Sequence, residues 1–197
     1  MTTLDLTRDM LDRFNAGMQE AVAAGVPEAN AMTLATVDAQ GQPAARTVLL
    51  KDANLDGFVF YTNLGSRKGQ HLAQCQQVSL VFWWRETEAQ VLIDGQALPV
   101  SAEAADAYFA SRPRGSQIGA WASIQSTELA DRQTLLDRVA EVEARFKDQE
   151  VPRPAHWSGF RVHPRRVEFW YGKPYRLHER ICYEATPQGW HSRLLYP

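Results

Sequence analysis

Three short β-rich segments follow one another in the first third of the chain, and no other feature restricts the fold as strongly. They read "AMTLATVD" (31–38), "ARTVLLKD" (45–52) and "GFVFYTN" (57–63), and the connections "AQGQPA" and "ANLDG" are rich in turn-forming residues. Parallel strands need crossover connections of about a dozen residues, whereas hairpins need only a few. The sequence therefore predicts an antiparallel meander.

The remaining segments extend this meander into a mainly β fold with helices. Strands are expected at "VSLVFWW", "AQVLIDGQALPV", "GFRVHP", "RVEFWYG", "YRLHERICYEA" and "WHSRLLYP". Helices are expected over 4–24, over 66–75, after Ser101 as an N-cap, and over 126–146. Glycine-rich βαβ alternation is missing, so a doubly wound sheet is disfavoured. We predict a closed or split antiparallel barrel with helical excursions.

Two of these helices have apolar stripes at helical spacing. The stripe of the first comprises Leu4, Leu6, Met10, Leu11, Phe14 and Met18, and that of the last comprises Leu129, Leu135, Leu136, Val139, Val142 and Phe146. We interpret residues 1–28 as an N-terminal helical segment with some freedom to move. Residues 29–197 then form a single domain, which is long enough to bury a core.

Composition and charge argue against several classes of protein. Charged residues make up 22% of the chain and the net charge is −2, which disfavours a nucleic-acid or membrane partner. No apolar stretch approaches the roughly 20 residues of a membrane helix, and the N-terminus lacks the apolar core of a signal peptide. Cys75 and Cys182 have neither metal-ligand nor redox spacing, which indicates reduced thiols. A cytoplasmic protein without a metal site is expected.

Four stretches place cations beside apolar or aromatic residues. They are "RTVLLK" (46–51), "GSRKGQHL" (65–72), "YFASRPRGSQIGAW" (108–121) and "FWYGKPYRLHERICYE" (169–184). In the second stretch, Arg67 and Lys68 follow Ser66, a good N-cap, although a helix N-terminus carries partial positive charge and favours acidic residues. A bound anion would resolve this conflict. The alternative is a solvated helix start whose long side chains point away.

Side-chain alternation gives further information about two of these stretches. Arg46 and Lys51 would point to opposite faces of a regular strand, so one ligand can use both only if the strand bends or a second subunit contributes. Arg176, His178 and Arg180 would share one strand face, where they are costly to bury without an anion. Solvent-facing strands and a surface loop are the alternatives. Together the stretches indicate a pocket for more than one phosphate, lined by Trp and Tyr that stack on flat rings.

The same motifs, in order and spacing, resemble a known family. The segments "NAMTLATVD", "RTVLLK", "FYTNLGSRK", "SLVFWW", "YFASRPRGSQIGAWAS", "QS" and "RVEFWYGKPYRLHER" are similar to the pyridoxamine 5′-phosphate oxidase family over roughly residues 29–195. The resemblance implies a split-barrel homodimer with two FMN molecules at the subunit interface. It also implies oxidation of pyridoxamine or pyridoxine 5′-phosphate to pyridoxal 5′-phosphate, with O2 as acceptor and H2O2 as product.

The resemblance also implies roles for individual residues. Those expected to bind FMN are Arg46, Val48, Leu49, Lys51, Tyr61, Thr62, Arg67, Lys68, Gln90, Gln125, Ser126, Trp170 and Arg180, with Gln125 and Ser126 expected to come from the partner subunit. Those expected to bind the substrate are Lys51, Tyr108, Arg112, Ser116, Arg176 and His178, and the last two are the expected catalytic residues. The alternatives are a sister flavin oxidase of the phenazine-biosynthesis type and a non-catalytic protein that binds FMN or pyridoxal 5′-phosphate.

Overall fold

The computed structural model describes residues 5–197, so Leu4 of the predicted first stripe lies outside the described residues. Within this range the helices are α1 (Arg8–Ala23), α2 (Arg67–Gln74), α3 (Ala102–Ser111), α4 (Arg114–Ala122) and α5 (Arg132–Arg145). The strands are β1 (Ala31–Val37), β2 (Pro43–Leu49), β3 (Asp52–Asn54), β4 (Gly57–Asn63), β5 (Gln77–Trp84), β6 (Ala89–Pro99), β7 (Trp157–Tyr171), β8 (Glu179–Thr186) and β9 (Gly189–Leu194). Single 3-10 turns cover Arg85–Thr87 and Pro174–Arg176.

All nine of these strands belong to one antiparallel sheet, in the order β2-β1-β5-β6-β7-β4-β3, with the β8–β9 hairpin attached to β7. The two ends of that order, β2 and β3, are separated in the chain only by Leu50 and Lys51. The Leu50 amide donates to Asn30 O at 2.9 Å and the Lys51 amide to Val59 O at 2.8 Å. The sheet must therefore curl until its ends meet, which confirms the predicted split antiparallel barrel.

Strand β7 connects the two parts of the split barrel. The segments "GFRVHP" and "RVEFWYG", predicted as separate strands, form this single strand of 15 residues. Its first half pairs with β4 and its second half pairs with β8, while β6 runs along the other edge. Pro164 sits opposite a register shift in β6 at Asp94 and Gly95, where a residue without an N–H can be accommodated.

The main core lies inside the barrel and is covered by α1. Burial alternates along β5 and β6, as expected for strands with one face on the core. Phe14 of α1 makes edge-to-face contacts with Phe58 and Phe82, at ring-centroid distances of 5.0 and 5.1 Å. The indole N–H of Trp84 donates to Ala29 O at 2.8 Å. Helix α1 thus packs into the core of the barrel, and the division of the chain at residue 28 stays a prediction.

A smaller cluster of buried side chains lies under α3, α4 and α5, and it includes Phe109, Phe146 and Trp157. The expected helix over 126–146 is shorter than predicted, because Asp131 has an extended backbone and its carboxylate caps the helix by accepting from Thr134 N. Val139 and Val142 pack against the cluster, whereas Leu129 and Leu136 are each 47% exposed, so this part of the predicted stripe was wrong.

Two further expectations concern membranes and thiols. Between residues 5 and 197, no helix is long and apolar enough to span a membrane. Cys75 and Cys182 are both free.

Candidate functional site

A cavity of about 650 Å³ opens between the end of β2, strand β4, the start of α2 and helices α3 and α4. Of the residues predicted to bind the cofactor, it is lined by Arg46, Val48, Leu49, Lys51, Tyr61, Thr62, Lys68 and Gln125. Of those predicted to bind the substrate, it is lined by Lys51, Tyr108, Arg112 and Ser116. Segments that are far apart in sequence therefore meet at one cavity.

One wall of the cavity is cationic. Arg46 donates from Nη1 to Thr36 Oγ1 at 2.7 Å and to Leu34 O at 3.2 Å. The ammonium group of Lys68 donates to Ser66 Oγ at 3.2 Å and to Gln125 Oε1 of the same chain at 3.0 Å, whereas Gln125 was expected from the partner subunit. All of these acceptors are uncharged. No carboxylate among residues 5–197 lies within ion-pair distance of Arg46, Arg67 or Lys68.

The pKa values of this wall reflect burial and mutual repulsion. Burial lowers the pKa of Arg46, and the nearby charge of Arg67 lowers it further. Burial also lowers the pKa of Lys68, and the charge of Arg46 adds to the effect. Charged groups that repel one another without a counter-ion favour the binding of an anion. The wall therefore has the chemistry of a phosphate site.

The start of α2 adds backbone donors to this wall. Ser66 is the N-cap, as predicted, and its Oγ accepts from Gly69 N at 3.3 Å while donating to Asn63 O at 2.7 Å. Arg67 follows at the first helical position, where it is exposed and does not line the cavity, although its charge acts on Arg46. The partial positive charge of the helix start has the same sign as the two side chains. The predicted conflict is present, and an anion would resolve it.

The opposite wall is aromatic. The rings of Tyr61 and Tyr108 stack at a centroid distance of 4.0 Å, and Tyr61 stacks on Trp157 at 5.2 Å with an interplanar angle of 6°. The guanidinium of Arg112 lies over the Trp157 ring at 4.7 Å. Burial lowers the pKa of Arg112, and its Nη1 is buried without a hydrogen-bond partner. An unpartnered guanidinium nitrogen beside a cavity is suited to a second anionic group.

Gly159 fixes the position of the aromatic wall, since a Cβ at this residue would lie 2.6 Å from Cδ1 of Tyr61. Gly159→Ala is therefore expected to destabilise the protein by about 1–3 kcal/mol, because Tyr61 or its strand must move. Urea unfolding measures the change. Gly115→Ala is the matched control, since nothing lies within 4 Å of its Cβ position. Equal stability of the two variants would contradict the expected clash.

Lys51 reaches the same cavity as Arg46, in contrast to the opposite faces expected for a regular strand. Strand β2 ends at Leu49, and Leu50 turns into the core with 6% of its surface exposed. The alternation of side chains is broken at that point, so Lys51 follows a bend. The bend, which was one of the two solutions considered for this pair, is present in the structure.

The stretch "SRPRGSQIGAW" was expected to be a turn and is largely helical. Arg112 ends α3, Pro113 precedes α4, and Ser116 lies in the first turn of α4. Proline at a helix start was the signal that predicts this helix. Arg114 does not line the cavity, since its guanidinium donates to Gln149 O at 2.8 Å and Phe146 O at 2.7 Å.

The other predicted site residues lie outside the cavity lining. Ser126 follows Gln125 with a φ of 72°, next to the cavity but not lining it. Gln90, Trp170 and Arg180 are register neighbours across β6, β7 and β8. The ring of His178 lies 4.5 Å from that of Trp170. These last four residues and Arg176 belong to the half of the sheet that carries β8.

The prediction that Arg176, His178 and Arg180 share one strand face is wrong. Strand β8 begins at Glu179, and a 3-10 turn covers Pro174–Arg176. Arg176 has a φ of 62°, which is incompatible with a strand. The Lys173 amide donates to His178 Nδ1 at 3.2 Å and ties this turn to the start of β8.

Sequence reasoning missed several residues that belong to these clusters. Trp157, Asn63 and Ser123 line the cavity, and only the aromatic residue after the proline-rich "VPRPAH" carried a signal. Glu168 is 3% exposed and accepts from Arg180 Nε at 2.7 Å and from Arg166. Burial would raise the pKa of Glu168, but the hydrogen bonds from Arg180 and Arg166 outweigh burial and hold it below its usual value.

Glu168→Gln is expected to lower the free energy of unfolding by about 3 kcal/mol at neutral pH, because it leaves two guanidinium groups without their buried partner. A depressed folded-state pKa contributes stability above the unfolded value, about 4.3, and loses it as pH falls through the folded value. The difference from the parent protein should therefore shrink below about pH 4. Urea unfolding at several pH values measures it. Glu184→Gln, at a carboxylate that is 34% exposed, should cost less than about 1 kcal/mol.

Two family models and many relatives match the chain. The model described as pyridoxamine 5′-phosphate oxidase matches residues 18–146, and the one described as pyridoxine 5′-phosphate oxidase C-terminal dimerisation region matches residues 157–197. A protein from Acaryochloris marina named pyridoxine/pyridoxamine 5′-phosphate oxidase is 52% identical over 185 residues, which are 94% of this chain and 84% of the relative. One of the same name from Xanthomonas euvesicatoria is 52% identical and covers 98% and 99%.

Solved structures match the fold as well. PhzG from Burkholderia lata 383, in complex with tetrahydrophenazine-1-carboxylic acid, covers 100% of both chains with a TM-score of 0.89 and 31% identity. An FMN-binding protein from Nostoc punctiforme, described as pyridoxamine 5′-phosphate oxidase-related, has a TM-score of 0.75 and 17% identity over 100% of both chains. The sequence identity is higher to the oxidases than to PhzG. By both family models and by its relatives, the chain belongs to the pyridoxamine 5′-phosphate oxidase family.

Proposed function

We propose that the protein oxidises pyridoxamine 5′-phosphate, pyridoxine 5′-phosphate or both to pyridoxal 5′-phosphate, with FMN as cofactor, O2 as acceptor and H2O2 as product. The observation that carries this proposal is one cavity lined by two groups of cations, Arg46 with Lys68 and Lys51 with Arg112, together with stacked aromatic rings. A cofactor and a substrate that each bear a phosphate need two anion sites and a place for two flat rings. Relatives at 52% identity bear the name of this activity.

The residues of the cavity fit FMN. Arg46, Arg67 and Lys68 form a cluster of cations without a counter-ion, and Gln125 already contacts Lys68 at 3.0 Å. We assign the FMN phosphate to this cluster, with Ser126 beside it. The flavin ring is assigned to the backbone at Val48 and Leu49 and to Tyr61 and Thr62, all of which line the cavity. When bound, FMN supplies the two-electron chemistry that protein side chains lack.

The substrate phosphate is assigned to a second group of residues. Lys51, Tyr108, Arg112 and Ser116 line the cavity, and Arg112 has a buried Nη1 without a partner. A phosphate would give this nitrogen the charge-assisted hydrogen bond that it lacks. Tyr108 stacks on Tyr61, so the phosphate site and the ring site share one aromatic wall.

The site is completed by a second copy of the chain. Trp157 and Trp170 are 13 residues apart on one strand, which separates the cavity from the Trp170 cluster by roughly 40 Å along β7. A separation of this size along the strand favours a site to which two chains contribute. Residues 157–197 match a dimerisation region, and Tyr175, Leu177, Leu194 and Tyr196 are between 69% and 95% exposed there. We infer a homodimer in which each cavity faces the other chain's Gln90, Trp170, Arg176, His178 and Arg180.

Arg176 and His178 then act on the substrate from the second chain. The guanidinium of Arg176 stays protonated, so its role is to orient the substrate and to stabilise charge in the transition state. His178 Nδ1 accepts from the Lys173 amide at 3.2 Å, which places the proton of the neutral ring on Nε2. Nε2–H is then the atom that donates a hydrogen bond to the substrate.

The decisive experiment measures O2 uptake and H2O2 formation when pyridoxamine 5′-phosphate is added to purified protein supplied with FMN. The proposal predicts that both accompany formation of pyridoxal 5′-phosphate in equal amounts. Absence of turnover with both phosphorylated substrates would overturn it. Bound FMN without turnover would instead indicate a non-catalytic binder, and turnover restricted to a tetrahydrophenazine carboxylic acid would indicate the sister oxidase.

A further inference from the structure

Two buried polar side chains lie behind the cationic wall and do not line the cavity. Thr36 on β1 is 1% exposed and His71 on α2 is 6% exposed, in surroundings that are otherwise mainly apolar. Their contact, Thr36 Oγ1 to His71 Nδ1, measures 3.1 Å. Buried polar groups of this kind need a structural or functional reason, because leaving them without partners is costly. The contacts of Thr36 supply one.

The hydrogen bond between Arg46 and Thr36 has only one possible direction. The guanidinium of Arg46 can only donate, so Thr36 Oγ1 accepts from Arg46 Nη1 at 2.7 Å. The single proton of Thr36 then has two acceptors in reach, His71 Nδ1 at 3.1 Å and Ala44 O at 3.5 Å. With the imidazole proton on Nε2, Nδ1 accepts from Thr36; with the proton on Nδ1, the ring donates to Thr36 Oγ1 and the hydroxyl turns to Ala44 O. Either arrangement connects Arg46 through Thr36 to His71.

This chain connects the two structural elements that carry the cationic wall. His71 lies one turn after Arg67 and Lys68 on the same helix, and Arg46 lies on β2. Burial lowers the pKa of Arg46, and repulsion between the charges of Arg67 and Arg46 lowers it further. A freely rotating Arg46 would turn away from α2 into the open cavity. The hydroxyl of Thr36 and the backbone oxygen of Leu34, 3.2 Å from Nη1, hold it in place.

We propose that Thr36 and His71 are positioning residues that hold Arg46 beside the start of α2, so that three cations converge on one phosphate. The inference rests on the proposed function, since the phosphate is that of FMN. By holding Arg46 at the phosphate site, Thr36 and His71 would increase the preference of the protein for FMN over riboflavin, which has the same ring system and no phosphate. The flavin ring is contacted by the residues that line the cavity, and Thr36 and His71 do not line it. The affinity for riboflavin should therefore not depend on these two residues.

The test uses the full-length protein freed of bound flavin and titrated with FMN and with riboflavin, each followed by quenching of flavin fluorescence. The ratio of the two dissociation constants measures phosphate recognition. Thr36→Val, which keeps the shape and removes the hydroxyl, should reduce this ratio about tenfold while leaving the riboflavin constant unchanged. His71→Leu should act in the same direction. Thr36→Ser and His71→Gln keep a polar partner and should retain most of the ratio.

Thr186→Val is the matched control, because its hydroxyl donates to Gly189 O in the β8–β9 hairpin and does not contact Arg46. It should bind both flavins like the parent protein. An unchanged ratio in both Thr36→Val and His71→Leu would overturn the inference. An equal loss of affinity for FMN and riboflavin would also overturn it, since that result indicates a packing defect. A parent protein that does not prefer FMN over riboflavin would instead refute the proposed cofactor, and the two failures are thus distinguishable.

Discussion

Arg176→Ala is expected to reduce kcat by about 10²–10³-fold, because it removes a fixed positive charge from the position assigned to the reacting group. Arg176 has no ion pair among the residues that the structure describes, and its backbone is held at a φ of 62° by the turn before β8. Its side chain is therefore not needed to hold another charge in place. FMN binding should persist, since the assigned phosphate cluster lies elsewhere. Steady-state kinetics at saturating substrate and the visible absorbance of the flavin measure the two quantities.

The matched control for this variant is Lys173→Ala in the same turn. Lys173 is an exposed cation, and the contact that it makes with His178 uses its backbone amide, which the substitution keeps. The kcat of this control should stay close to that of the parent. Arg176→Lys should be intermediate, because an ammonium group keeps the charge and loses the planar fork. A kcat of Arg176→Ala equal to that of the parent would remove Arg176 from the assigned catalytic residues.

Arg67→Ala is expected to weaken FMN binding by about 1.5–3 kcal/mol, or roughly 10- to 150-fold in the dissociation constant. The loss is that of one charge-assisted hydrogen bond to phosphate, beside those that Arg46, Lys68 and the backbone N–H groups of the helix start would supply. Without FMN the substitution should stabilise the protein slightly, since it relieves the repulsion of Arg46. Fluorescence titration and thermal unfolding with and without FMN measure these opposite effects.

Arg85→Ala, at an exposed arginine in the connection between β5 and β6, is the control for the loss of one surface charge. Its FMN affinity and unfolding temperature should both match the parent. If Arg67→Ala bound FMN as tightly as this control, the assignment of the phosphate to α2 would be wrong. The Arg67→Ala substitution should raise the unfolding temperature slightly without FMN and lower it with FMN. A general folding defect would lower the unfolding temperature in both cases.

Local patterns predicted most of the sheet because each strand is bounded by its own turn residues. Strands β1 and β2 alternate in burial, β4 is buried along nearly its whole length, and the barrel follows from their short connections. The prediction failed where pairing partners decide the outcome. Pro164 was predicted to end one strand before the next begins, but the register shift at Gly95 allows β7 to continue through the proline. Such compensation comes from a neighbouring strand and leaves no trace near the proline itself.

The site was predictable in its chemistry and less so in its geometry. The cations at Arg46, Lys68 and Arg112 were found because charges beside apolar residues conflict with local preferences, and the barrel brings them to one cavity. The common strand face for Arg176 and His178 was wrong, because the turn at Pro174 interrupts the alternation. A hydrogen-bond partner on a neighbouring strand, such as Glu168, which accepts from Arg180, leaves no signal in the sequence around Arg180.

The length of β7 has a genetic consequence if each site takes its phosphate cluster from one chain and its catalytic turn from the other. In a dimer of one Arg67→Ala chain with one Arg176→Ala chain, one site carries both defects and the other carries neither. Two variants that are each impaired should therefore restore activity when they are co-expressed. Random pairing makes half of the dimers mixed, so about a quarter of all sites should be intact. Sites built within single chains would show no such complementation.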